Sequence, residues 1–121
     1  MTQRISIGFG ASSRASCEDI LVLIRQSFPQ SGSAAILATV DRRGELGARV
    51  ASALGLPIVL LPASILSGMR GLTTFSDRAW RTVATANVAE ASALASLGPG
   101  ARLIVPRRVG KLCTCAVAVL P

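Results

Sequence analysis

Ala34-Ala35-Ile36-Leu37-Ala38-Thr39-Val40 is a run of strand length that is apolar everywhere except at Thr39. A strand with one wet face alternates apolar and polar residues, whereas a continuous run marks a strand covered by helices on both faces. The flanking segments agree with that reading. Upstream, Ser16 is placed as a helix N-cap, and Asp19 at the third helical position reaches back to it. Cys17, Ile20, Leu21, Ile24 and Phe28 then share one helical face, and Pro29 stops the helix. Downstream, Asp41-Arg42-Arg43-Gly44 turns the chain. Leu46, Val50, Ala53 and Leu54 carry a second helix, closed by Gly55.

The same alternation of strand and helix extends toward both ends. Ile5-Ser6-Ile7 reads as a first strand running into a turn at Gly8-Phe9-Gly10, followed by a small, polar loop from Ala11 to Ala15. Pro57 to Leu61 reads as a third strand, and Pro62 to Leu66 as one helical turn with proline at its first position. Ser67 to Thr74 is expected to be a loop, and Ser76-Asp77 to start a helix carrying Trp80 and Val83. Asn87 and Glu90 form a capping-box-like pair for a further helix with Val88, Ala91, Leu94 and Ala95 inward, ended by Gly98-Pro99-Gly100. Arg102 to Val105 and Leu112 to Leu120 are two last strands. Only Pro106 to Lys111 separates them, so they form an antiparallel hairpin, because parallel neighbours need a crossover of about a dozen residues or more. The sum is a three-layer α/β/α domain with a mixed sheet of about five strands, occupying 1–121 as one unit.

Composition narrows the function classes. The 121 residues are 50% hydrophobic, yet only Phe9, Phe28, Phe75 and Trp80 are aromatic, so the core is built from Ala, Val, Leu and Ile. Thirteen basic residues against six acidic ones leave a formal charge of +7, a field that attracts anions. The basic residues are dispersed, with clusters only at Arg42-Arg43 and Arg107-Arg108-Lys111, which does not make a nucleic-acid-binding tail. The longest greasy stretch, Leu54 to Ala63, contains two prolines and falls well short of the ~20 apolar residues of a membrane-spanning helix. With no histidine, a serine-histidine triad is impossible even though Ser12 and Ser13 lie in an open loop. Three cysteines imply no disulfide framework. Cys113-x-Cys115 lacks the spacing and partners of a zinc site, and the three thiols read as small buried hydrophobes. A cytoplasmic protein without metal or cofactor, bound to neither nucleic acid nor membrane, is the expectation.

The candidate site gathers at strand ends. Gly8-Phe9-Gly10 has the look of a dinucleotide fingerprint, but its third glycine position is Ser13 and the helix starts only at Ser16. Two other readings stand beside it: glycines that permit a tight turn, and a cup of donors for an anion, made by Gly8, Gly10, Ser12, Ser13 and Arg14 ahead of a helix. Thr39 and Asp41, two apart at the end of the second strand, join that cup if the strands are parallel. Each has an equally weighted local explanation, in strand propensity and turn formation. Arg107 and Arg108, with Lys111, are either a solvated turn or a carboxylate clamp. Glu90 reads as a capping residue ahead of an acid/base one, so Glu90→Gln is expected to fold normally.

Six patterns carry a family resemblance through their order along the chain. They are Gly8-Phe9-Gly10 with its Ser/Arg loop; Ser16-Cys17-Glu18-Asp19-Ile20; Leu37-Ala38-Thr39-Val40-Asp41; Leu54-Gly55-Leu56-Pro57; Asn87-Val88-Ala89-Glu90-Ala91; and Leu103-Ile104-Val105-Pro106-Arg107-Arg108 before a strand centred on Thr114. This order resembles the cobalamin-biosynthesis family made up of the C-terminal domain of CbiG and the stand-alone CobE proteins, the stand-alone form above all. In CbiG-type domains the first loop has the form G-x-G-C-R-R-G-T-S-x-E-E-I. Here Gly8, Gly10, Ser16, Glu18, Asp19 and Ile20 keep the frame, while Ala11-Ser12-Ser13-Arg14 replaces Cys-Arg-Arg-Gly. Ser76 stands where the family often has a serine after Asn-Pro, and Arg107 where a lysine is common. The resemblance implies a protein that binds or acts on metal-free corrin or precorrin intermediates, in the aerobic route, with other enzymes of that pathway as further candidate partners. CbiG itself is a hydrolase that opens a lactone on a corrin precursor and releases acetaldehyde. A carrier, a pathway enzyme using Asp41 or Glu90, and a nucleotide-binding module therefore stand as three readings.

Overall fold

Ile36–Val40 is buried at every position, Thr39 included, as expected of a strand covered on both faces. The computed structural model describes residues 3–67 and 87–121. Within them the chain forms β1 (Arg4–Ala11), α1 (Cys17–Ser27), β2 (Ile36–Val40), α2 (Gly44–Leu54), β3 (Ile58–Leu61) and α3 (Ala63–Ser67). Then follow α4 (Val88–Leu97), β4 (Arg102–Val109) and β5 (Cys113–Leu120). The five strands make one mixed sheet in the order β3-β2-β1-β5-β4. β1 is parallel to β2 and β2 to β3, while β5 is antiparallel to both β1 and β4. Strands β1 to β4 thus all point one way, and their carboxyl ends lie along a single edge. The last two strands are the expected hairpin.

The two faces of the sheet differ in side-chain size. On one face Ile7, Phe9, Leu37 and Val117 pack with Ile20, Ile24 and Val50 from α1 and α2. On the other, Ser6, Gly8, Ala116 and Ala118 leave room for α4 to approach closely. A Cβ at Gly8 would overlap the backbone of Ala89 and Ala93, so this glycine sets the helix–sheet distance. The Ser6 and Ser96 hydroxyls meet across the same contact at 2.6 Å. Helix α4 is accordingly buried almost all round, not on one stripe: Val88 through Leu94 and Leu97 are all buried.

Two expectations need correction. Gly8-Phe9-Gly10 is not a turn. β1 runs on to Ala11, with Gly8 opposite Ala116, Phe9 opposite Cys115 and Gly10 opposite Thr114. A complete ladder with β5 holds the glycines extended, a long-range pairing that outweighs their local turn preference. Likewise β4 continues through Val109, so Arg107 and Arg108 are strand residues and the hairpin turn is Gly110-Lys111-Leu112. Pro106 is tolerated there because β4 is an edge strand, and the ladder is irregular between Val105 and Arg108. The turn is closed by Gly110 N–H donating to Cys113 O at 2.9 Å. It holds Leu112 at φ 60°, a left-handed conformation unusual for a bulky side chain. Of the loop expected over 67–74, Ser67 closes α3. The remainder lies outside the described residues, as does the helix expected to carry Trp80 and Val83.

Candidate functional site

The carboxyl edge of the sheet opens into a cleft of about 550 Å³. Each wall follows from an element end. β1 brings Gly10, Ala11 and Ser12; β2 ends at Val40 and releases Arg42 and Arg43; β4 brings Arg107 and Val109; the hairpin turn brings Leu112. Asn87 and Val88 at the start of α4 complete it. Val40, Val88, Val109 and Leu112 give the cleft an apolar lining, and Val109 is 70% exposed. Arg42, Arg43 and Arg107 make it cationic, and among the described residues none of the three is in an ion pair. No described lining residue is a carboxylate.

One of these arginines is anchored. Arg43 Nε–H donates to Ala11 O at 2.9 Å, which fixes the guanidinium across the end of β1. The polar side of that loop is further ordered by Arg14 N–H donating to Ser12 Oγ at 3.1 Å and by Ser12 N–H donating to Leu112 O at 2.9 Å. Next to the cleft, on the other side of Arg42 and Arg43, lies a second depression of about 330 Å³ reached by Ser12, Ser13 and Arg49.

The nominated residues fall into groups. Gly10, Ser12 and Arg107 line the cleft, and Ser13 lines the second depression. Gly8 sits beneath α4. Thr39 is fully buried and its hydroxyl donates to Phe9 O at 2.8 Å, tying β2 to β1. Asp41 begins a 3-10 turn and lines neither space, nor does Arg14. Arg107 and Arg108 share a depression with Leu23, Gln26, Ser27 and Val109, but of the two arginines only Arg107 also lines the cleft. Arg108 lies near enough to Cys115 to counter part of the rise that burial causes in that thiol's pKa. Arg42 and Arg43 were legible only as a charge cluster in a turn. The missed signal was their position directly after the strand at Val40.

Glu90 is completely buried, and it is not held as a simple capping box would hold it. Its Oε1 accepts from Asn87 Nδ2 at 2.9 Å and its Oε2 accepts from the Arg107 backbone N–H at 2.8 Å. Asn87, at φ 45°, caps the helix by accepting from Glu90 N–H at 3.4 Å. The carboxylate therefore fastens the start of α4 to the edge strand, behind two residues that face the cleft. This geometry argues against Glu90→Gln folding as stably as the native chain, since the amide NH2 that replaces one carboxylate oxygen would face an N–H donor in place of an acceptor. Cys113 reaches the cleft wall, but burial, with Asp19 and Cys115 adding to it, pushes its thiol up to about 11. It is protonated and a poor nucleophile near neutrality.

A model of the cobalamin synthesis G C-terminal family matches residues 5–118. The chain belongs to that family. It is a family of cobalamin synthesis, and the fold agrees. The crystal structure of CobE, a protein from the cobalamin (vitamin B12) biosynthetic pathway, is similar over 100% of this chain and 93% of that one, with TM-score 0.85 and 28% identity. Cobalamin biosynthesis protein chiG from Agrobacterium tumefaciens shares the fold at TM-score 0.69 and 24% identity, over 94% of this chain and 96% of that one. No curated protein matches in sequence. Among the described residues no helix is long and apolar enough to cross a membrane.

Proposed function

We propose that this protein binds a metal-free corrin or precorrin polycarboxylate in the cleft at the carboxyl edge of its sheet, in the cytoplasm, as a step of aerobic cobalamin biosynthesis. The observation that carries the reading is the cleft's composition. An apolar lining is combined with three arginines that are in no ion pair among the described residues, in a member of a cobalamin-synthesis family. A corrin precursor presents the complementary surface, an apolar macrocycle rimmed by acetate and propionate arms. Guanidinium groups suit carboxylates because they donate two parallel hydrogen bonds. The position also suits a ligand, since open α/β sheets bind outside the carboxyl ends of their strands.

Binding is favoured over acid/base catalysis because no described residue lining the cleft is a carboxylate, and Glu90 lies behind the wall with both oxygens engaged. A nucleotide reading loses its glycine loop, because Gly8 and Gly10 are strand residues. Corrins absorb visible light, so the test is co-elution of colour with protein on a sizing column at low salt. The coloured acid is expected to travel with the protein and to dissociate as salt rises, because screening shortens to ~8 Å near physiological ionic strength. A polyacid that elutes apart from the protein at low salt would defeat the reading.

A further inference from the structure

The second depression lies beyond the Arg42–Arg43 ridge, and its chemistry differs from that of the cleft. Ser12, Ser13, Arg42, Arg43, Glu45 and Arg49 line it, with Ala15 and Leu46 as its apolar members, so it is more polar than the cleft. Three guanidinium groups face one carboxylate there. Arg49 stands one helical turn after Glu45 on α2, and the two are not in an ion pair. That surface is cationic and open. It shares Ser12, Arg42 and Arg43 with the cleft, so one ligand can touch both spaces across the ridge. The cleft volume of about 550 Å³ is ordinary for a drug-sized ligand. A tetrapyrrole acid with its arms extended is larger than that, and part of it must overhang the rim.

We infer that the depression is a carboxylate subsite, with Arg49 as its outer guanidinium, that takes one acid arm of the ligand whose macrocycle rests in the cleft. This rests on the proposed corrin binding. Arg43, pinned to Ala11 O, is the fixed post between the two spaces. Arg42 is exposed on the ridge and serves either side. Glu45 opposes an anion here and competes for Arg49. The subsite therefore reads the charge of the arm: a carboxylate engages Arg49, whereas a carboxamide of the same shape gains little from it.

The experiment titrates native protein, Arg49→Gln and Glu45→Gln with a metal-free corrin polycarboxylic acid, and with the same macrocycle carrying carboxamides in place of its acids. Arg49→Gln is expected to weaken the polyacid about tenfold, the loss of one charged hydrogen bond, and to flatten the salt dependence. It should leave the amide's affinity unchanged. Glu45→Gln is expected to tighten the polyacid by about twofold. If native protein binds the polyacid and Arg49→Gln binds it equally well, the subsite is wrong while the cleft reading stands. If native protein binds no corrin, the function reading fails, and propane-1,2,3-tricarboxylate becomes the deciding probe. Backbone amide resonances of Ser13 and Arg49 should then shift in the native protein and not in Arg49→Gln. Unshifted resonances in the native protein would overturn the subsite as well.

Discussion

At the scale of single residues, Glu90 shows how a correct local reading misses a larger role. Asn87-x-x-Glu90 did mark a helix start, and Asn87 does cap it. Nothing in that spacing shows that the carboxylate also reaches the edge strand, because the Arg107 N–H comes from 17 positions further along the chain. The consequence is measurable. Glu90→Gln sets an amide NH2 against one of these two N–H donors, and losing a buried hydrogen bond to a charged group typically costs about 1–3 kcal/mol. Chemical denaturation should show a lowered midpoint. Because Asn87 and Arg107 both face the cleft, ligand affinity should fall with it. A midpoint equal to that of the native chain would mean that the two hydrogen bonds contribute nothing net. Thr39 teaches the same lesson in reverse: its polar side chain suggested a site, and its hydroxyl is spent on Phe9 O inside the sheet.

At the scale of elements, what was legible was local. The Ser16–Asp19 capping box is present in both directions, with Asp19 N–H donating to Ser16 Oγ at 3.0 Å and Ser16 N–H donating to Asp19 Oδ2 at 3.1 Å. Gly55 closes α2 at φ 72°. Such signals involve residues a few positions apart, so the sequence displays both partners together. What was not legible depended on distant pairing. β1 and β4 both run past their expected ends because β5 supplies ladders for them. Gly8 is the sharpest case, since its lack of a side chain serves the approach of α4 and not a turn. Gly8→Ala should therefore destabilise the protein by about 1–3 kcal/mol or more, as overpacking against backbone does. Gly32→Ala, where an added Cβ meets nothing within 4 Å, should be close to neutral. Thermal unfolding of the pair decides it. Equal melting temperatures would show that the helix can move off the sheet at no cost.

At the scale of the molecule, the titratable inventory is unusually sparse. There is no histidine and no tyrosine, and the one lysine is Lys111 among thirteen basic residues. The cationic cleft is therefore arginine throughout and keeps its charge at any ordinary pH. No histidine contributes a stability step between about pH 5 and 8. The limits come from other groups. On the acid side, the backbone N–H of Ser16 holds Asp19 below its usual 3.8. The stability it contributes is present above that value and is lost as pH falls through its folded pKa. On the alkaline side the sign reverses. Burial raises Cys113 from 9.0 to about 11, and raises Cys115 as well. The unfolded chain gives up these protons first, so it binds fewer protons than the native state and stability falls with rising pH. The loss should begin near pH 9 and run through about pH 11. Denaturation midpoints recorded across that range should drop, and Cys113→Ala should make the drop shallower without changing its sign, because Cys115 still titrates. A midpoint as steep in Cys113→Ala as in the native chain would show that the Cys113 thiol is not the group that burial holds protonated.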